Sequence, residues 1–77
     1  MSRHQLDAQN LLCPMPVIRA QDAVAKLKAG DILEVVCTDH GALQDIPAWC
    51  RINGHKVVDT RDLGREVIIT IEVGQSD

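Results

Sequence analysis

Few residues in this chain could do chemistry, and one of them stands apart. Cys13 lies in the string Leu12-Cys13-Pro14-Met15-Pro16, between an apolar segment and a helical one. Proline is tolerated in the first turn of a helix, where the N–H groups have no intrahelical partner. Pro14 therefore fits the first helical position, which places Cys13 at the N-cap, facing unpaired N–H groups and the positive end of the helix dipole. A thiolate is favoured there. The dipole near a surface supplies less than a tenfold change in ionisation requires, so the thiol becomes more reactive without being fully ionised. The competing reading is a small buried hydrophobe, the usual state of an isolated cysteine. It is disfavoured because Ser, Asp or Asn would cap better and because the flanking prolines rigidify a loop that displays the residue. Arg19 is the next cation along the helix, either a solvated charge or a contact for a partner.

The remaining candidates read as structure. Cys37 falls on the apolar face of a strand and Cys50 in an apolar helical stripe, so both are expected in the core. Cys37-x-x-His40 with Cys50 is a weak metal signal, since a structural zinc site shows paired ligand clusters and four ligands. No metal or cofactor is expected. His4 and His55 are expected at the surface. The glycines, at 30, 41, 54, 64 and 74, form no phosphate loop.

The elements that must position Cys13 follow from periodicity. Residues 5–8 form a short strand, and Asn10, which tolerates left-handed geometry, turns the chain. Residues 14–29 predict a helix with Val17, Ile18, Val24 and Leu27 inward, Ala20 and Ala23 beside them, and Gly30 as its C-terminal cap. Residues 31–38 predict a strand with Leu33, Val35 and Cys37 on one face. Asp39 caps a second helix to about residue 52, with Leu43, Ile46 and Cys50, and Trp49 beside them, buried and a kink at Pro47. Residues 56–60 form a third strand, 61–64 a turn, and 65–73 a fourth strand with Val67, Ile69 and Ile71 alternating. The order β-α-β-α-β-β implies an α/β (α+β) two-layer sandwich, a four-stranded mixed sheet with two helices on one face.

Composition narrows the function classes. The 77 residues make one domain, 45% hydrophobic and 25% charged, with net charge −3. That balance, with Trp49 the sole aromatic, argues against a phosphate-binding or base-stacking surface. There is no apolar run long enough for a membrane span, no signal peptide is visible, and three cysteines cannot pair completely. A cytoplasmic protein is expected.

With Cys13-Pro14-Met15-Pro16 opening a helix, the chain resembles the TusA/SirA-like small sulfur carriers and their Cys-Pro-x-Pro signature. Leu6-Asp7-Ala8 before the motif, Val17-Ile18-Arg19-Ala20 after it, and Asp45-Ile46-Pro47 with Cys50 extend the resemblance from about Leu6 to Glu72. Family members often carry Gly where Asn10 stands, and some carry Arg in place of Leu12 or Glu in place of Met15. The resemblance implies a sulfurtransferase that relays sulfane sulfur as a persulfide on Cys13, with Pro14 and Pro16 positioning it and Leu12, Met15 and Arg19 as partner contacts. It implies a cysteine desulfurase or rhodanese-type donor, and acceptor proteins in tRNA thiolation, cofactor sulfuration or sulfur oxidation. The carrier would be a monomer forming transient complexes, with no membrane and no stable nucleic-acid partner. The alternative is a non-catalytic regulatory or redox-sensing interaction module. For Leu12, core and docking surface are equally good readings; Met15 is expected to be exposed, since the core stripe is already filled.

Overall fold

The computed structural model describes residues 2–74. Its elements run β1 (Arg3–Ala8), α1 (Met15–Val24), β2 (Ile32–Cys37), α2 (Ala42–Asn53), β3 (Lys56–Asp62) and β4 (Val67–Glu72). This is the expected β-α-β-α-β-β order, a four-stranded mixed sheet covered by two helices.

The sheet order is β1-β2-β4-β3. β1 runs parallel to β2, with Leu6 opposite Val35 and Ala8 opposite Cys37. β4 runs antiparallel to β2 on one side and to β3 on the other. β3 is thus parallel to β2, as a helical crossover demands, but β4 is inserted between them. Strand polarity explains the placement. β4 carries Val67, Ile69 and Ile71, all fully buried, and takes a central position. β3 reads KVVDTRD and is mostly exposed, as suits an edge strand.

Inward faces fall as the alternation predicts. Leu33, Val35 and Cys37 of β2 join Val67, Ile69 and Ile71 of β4 in one core with Ala8, Ile46 and Cys50. α2 contributes Ala42, Ile46 and Cys50 at four-residue spacing, with Leu43 and Trp49 packed beside them. Gly54, at φ 80°, closes the helix in left-handed geometry, and its successor His55 donates its N–H to the Cys50 carbonyl at 2.8 Å. Pro47 lies inside α2 and gives the Leu43 carbonyl no ladder donor.

β1 begins at Arg3, two residues earlier than the sequence reading, β4 spans Val67–Glu72 within the expected 65–73, and other boundaries differ as well. α1 ends at Val24 rather than near residue 29. Tighter bonds from Lys26 N–H to the Ala23 carbonyl and from Leu27 N–H to the Val24 carbonyl end the helix. Gly30, at φ 93°, then donates to the Val73 carbonyl at 2.8 Å as a turn residue, not a helix cap. β3 extends through Arg61 and Asp62, leaving the turn at 63–66, where Leu63 N–H reaches the Glu66 carbonyl. Asp39 lies two residues before the N-cap of α2, which is Gly41.

The buried stripe of α1 is Pro16, Ala20 and Val24. Ile18, expected inward, is 43% exposed. Positions 16, 20 and 24 lie in one row along a helix, and 18 faces away from it. Small Ala20, with no exposed surface, lets α1 lie close on β1 and β2.

Candidate functional site

The sheet register brings four strand ends together. Ala8 pairs with Cys37, Cys37 with Val67, and Val67 with Asp62. The connections leaving β1 and β2 therefore start at the same end of the sheet, and both helices begin there. The loop carrying Cys13 faces the loop carrying Asp39.

Hydrogen bonds hold the two loops in register. Asn10 has φ 63°, the left-handed turn expected of it, and donates its N–H to Thr38 Oγ1 at 2.9 Å. Three residues on, Cys13 donates its N–H to Asp39 Oδ2 at 3.1 Å. The other oxygen of Asp39 accepts the Gly41 N–H at 3.0 Å. The Leu12 carbonyl accepts the Met15 N–H at 2.8 Å, closing a tight turn around Cys13-Pro14.

Cys13 is not the N-cap. Pro14 holds that position, with φ −96° and ψ 13°, and no side chain caps the helix. Met15 and Pro16 are its first two residues, so Pro14 and Pro16 both occupy positions where no helical N–H is lost. Pro16 is buried and Pro14 exposed. Cys13 therefore sits one residue outside the helix, and its sulfur is exposed.

The electrostatics of that sulfur differ from a thiol at a helix dipole. Hydrogen bonding toward the Asp45 carboxylate, some loss of hydration and the negative charges of Asp45 and Asp39 all act to raise the Cys13 thiol pKa above its ordinary value. Sequence reasoning treated Asp39 as a helix cap and Asp45 only as part of a family resemblance. The missed signal is topological: a residue in the first turn of α2 lies beside the start of α1 once both helices enter from one end of the sheet.

Exposed apolar residues flank Cys13 along the chain. Leu12 is 76% exposed and Met15 37%, so Leu12 is surface and not core. Ile18, one turn after Met15, joins them. Arg19 is exposed on the same helix and has no ion-pair partner among the described residues. Cys37 and Cys50 are buried, and burial pushes each thiol up to about 11. His40 is exposed and pairs with Asp62 at 3.4 Å, so Cys37, His40 and Cys50 do not converge. Among the described residues no three ligating side chains cluster. His4 is exposed, but His55 is half-buried: its Nδ1 accepts the Gly74 N–H at 2.9 Å and its ring lies 5.0 Å from that of Trp49. An open groove of about 750 Å³ between the helices includes Trp49, His55 and Lys28 in its wall, but not Cys13.

A family model described as Sulfurtransferase TusA matches residues 4–73. YrkI of Bacillus subtilis is 42% identical over 69 residues, covering 90% of this chain and 92% of its own length. The sulfur carrier protein TusA of Allochromatium vinosum is 32% identical over 60 residues, 78% of this chain and 79% of that protein. In three dimensions the fold matches the crystal structure of a SirA-like protein from Desulfitobacterium hafniense with a TM-score of 0.80, 27% identity, and coverage of 94% of this chain and 99% of that one. With the family matched across nearly the whole fold and an exposed cysteine at the head of α1, the chain belongs to the TusA sulfurtransferases, the small sulfur carrier proteins.

Proposed function

We propose that Cys13 is the residue that carries the sulfur. The Cys13 sulfur attacks the outer sulfur of a donor protein's persulfide and gives up its proton. The donor's S–S bond breaks, and the donor cysteine leaves with the electron pair and is reprotonated. The same exchange in the next complex passes the outer sulfur to an acceptor thiolate, with no net oxidation. The observation that carries this reading is the exposed Cys13 between the exposed apolar residues Leu12 and Met15 at the head of α1, while the other two cysteines are buried. Such a surface suits brief protein contacts, and sulfur exchange needs access, not a deep pocket.

Donors of the cysteine desulfurase or rhodanese type, and acceptors in tRNA thiolation, cofactor sulfuration or sulfur oxidation, belong to the same proposal, as do a cytoplasmic location and a monomeric carrier with transient partners. No helix among the described residues is long and apolar enough to cross a membrane. A redox sensor is disfavoured, because sensing uses a low-pKa thiol poised beside a resolving cysteine. Cys13 has a raised pKa, and Cys37 and Cys50 are buried.

The test is incubation with a persulfide donor followed by mass analysis. The expected result is one added sulfur atom on Cys13, removed by a thiol reductant and absent from Cys13→Ser. Cys13 makes no cap, so that variant keeps its fold. Sulfur loading on Cys13→Ser, or none on the unmodified chain, overturns the proposal.

A further inference from the structure

The groove between the helices lies away from Cys13. Cys13 sits at the sheet end where Ala8, Cys37 and Val67 meet, whereas the groove forms beyond α1, at the close of α2 and past β4. Its volume of about 750 Å³ is in the range that holds small organic molecules. The apolar part of its wall comes from Val24, Leu27, Val73 and Trp49. Trp49, the sole aromatic, is only half-buried. Two glycines fix the base of this wall. Gly54 turns the chain at φ 80°, and Gly74 lies so close to the Gly54 carbonyl that a β-carbon there would collide with that oxygen. Gly74 donates its N–H to His55 Nδ1 at 2.9 Å, and the His55 ring lies 5.0 Å from that of Trp49. The fold therefore sets the aromatic wall before any ligand arrives.

The polar groups of the groove decide what it can hold. Lys28 is the one charged side chain in its wall, and no carboxylate among the described residues lines it. Asp31, three residues on, is engaged by the Lys28 and Ser2 N–H groups at 3.0 and 3.2 Å. His55 is a donor here as well. Burial keeps its imidazole neutral at pH 7, and Nδ1 accepts the Gly74 N–H, so its proton resides on Nε2. Two carbonyls at the end of α2 are already taken, that of Trp49 by Asn53 Nδ2 at 2.9 Å and that of Cys50 by the His55 N–H at 2.8 Å. A cation and a fixed donor beside an aromatic wall suit a flat apolar body that bears one negative charge. We propose that this groove is a second binding site of the protein, for a small aromatic carboxylate, with its ring against Trp49 and its carboxylate at Lys28. One aromatic and one cation are too few for a nucleic-acid strand. The site does not include Cys13, so it stands whether or not Cys13 carries sulfur.

The test uses the full chain with 1-naphthoate, a flat aromatic carboxylate, and 1-naphthamide as its uncharged counterpart. Backbone amide and indole N–H NMR signals are followed through each titration. The expected result is saturable shifts confined to the Trp49 indole and the groove residues, with a naphthoate Kd of about 1 mM or below. Lys28→Gln changes an exposed side chain, keeps the fold, weakens naphthoate about fivefold and leaves naphthamide unaffected. Trp49→Leu weakens both probes about tenfold. Cys13→Ser binds as the unmodified chain does. Shifts that do not saturate, shifts centred elsewhere, or equal affinity for the two probes overturn the inference. Unchanged naphthoate affinity in Lys28→Gln overturns it too. None of these outcomes alters sulfur loading on Cys13, which mass analysis reads separately.

Discussion

The Asp39 carboxylate accepts the Cys13 N–H at 3.1 Å across 26 residues of sequence, and its second oxygen accepts the Gly41 N–H at 3.0 Å. One side chain thus couples the loop that presents the sulfur to the entrance of α2, and the position of Cys13 depends on a residue from another part of the chain.

Removing that bridge is expected to loosen the loop. Asp39→Ala leaves two N–H groups to water and costs about 1–2 kcal/mol of stability, the range for two partly exposed hydrogen bonds. Urea unfolding measures the loss. In the same variant, amide exchange at Cys13 speeds up relative to the strands. An unchanged unfolding midpoint with unchanged Cys13 exchange would show that the bridge carries no weight.

Alkylation separates the three cysteines. Cys13 is exposed, whereas Cys37 and Cys50 are buried and pushed up to about 11. In the native protein Cys13 is expected to react about a hundredfold faster or more, since the other two wait for local opening. The Cys13 rate should keep rising into the alkaline range, because the Asp45 and Asp39 carboxylates raise that thiol as well. Peptide mapping after timed alkylation checks both statements; comparable labelling of Cys50 would contradict its place in the core.

Met15→Glu tests the apolar surround. Met15 is 37% exposed and is the first residue of α1, where a carboxylate favours the helix dipole. Thermal unfolding should stay nearly unchanged. Sulfur transfer with a protein partner is expected to slow about fivefold, a loss of about 1 kcal/mol, ordinary for a contact residue, while loading from a small persulfide changes less. A large drop in melting temperature would instead place Met15 in the packing.

His55 predicts a pH response at the far end of the molecule. Burial lowers its pKa, and Nδ1 accepts the Gly74 N–H, so the folded state prefers neutral imidazole. The unfolded chain then binds the proton more readily. His55 contributes stability that is present above the ordinary histidine pKa near 6.5 and is lost as the pH falls through the lower folded value. Denaturation followed by the emission of Trp49, whose ring lies 5.0 Å from His55, should show decreasing stability from pH 7 to pH 5. His55→Asn should flatten that slope.

The sequence alone determined the parts that depend on neighbours in the chain. Alternation put Leu33, Val35 and Cys37, and again Val67, Ile69 and Ile71, on the buried face, because successive strand residues point to opposite sides. The prolines around Cys13 marked the head of a helix, since its first turn loses no hydrogen bond to them. Asn10 marked the turn that precedes it. The family resemblance rested on these same local strings. Tertiary structure decided what depends on packing. β4 took the place between β2 and β3 because the more apolar strand gains more from a central position. α1 ended at Val24 because the chain must turn through Gly30 to reach β2. Asp39 came to the Cys13 N–H, and the first turn of α2 with Asp45 to the same end, because both helices start at one end of the sheet. No periodicity in the chain encodes that proximity, and it reverses the direction in which a helix dipole alone would move the thiol.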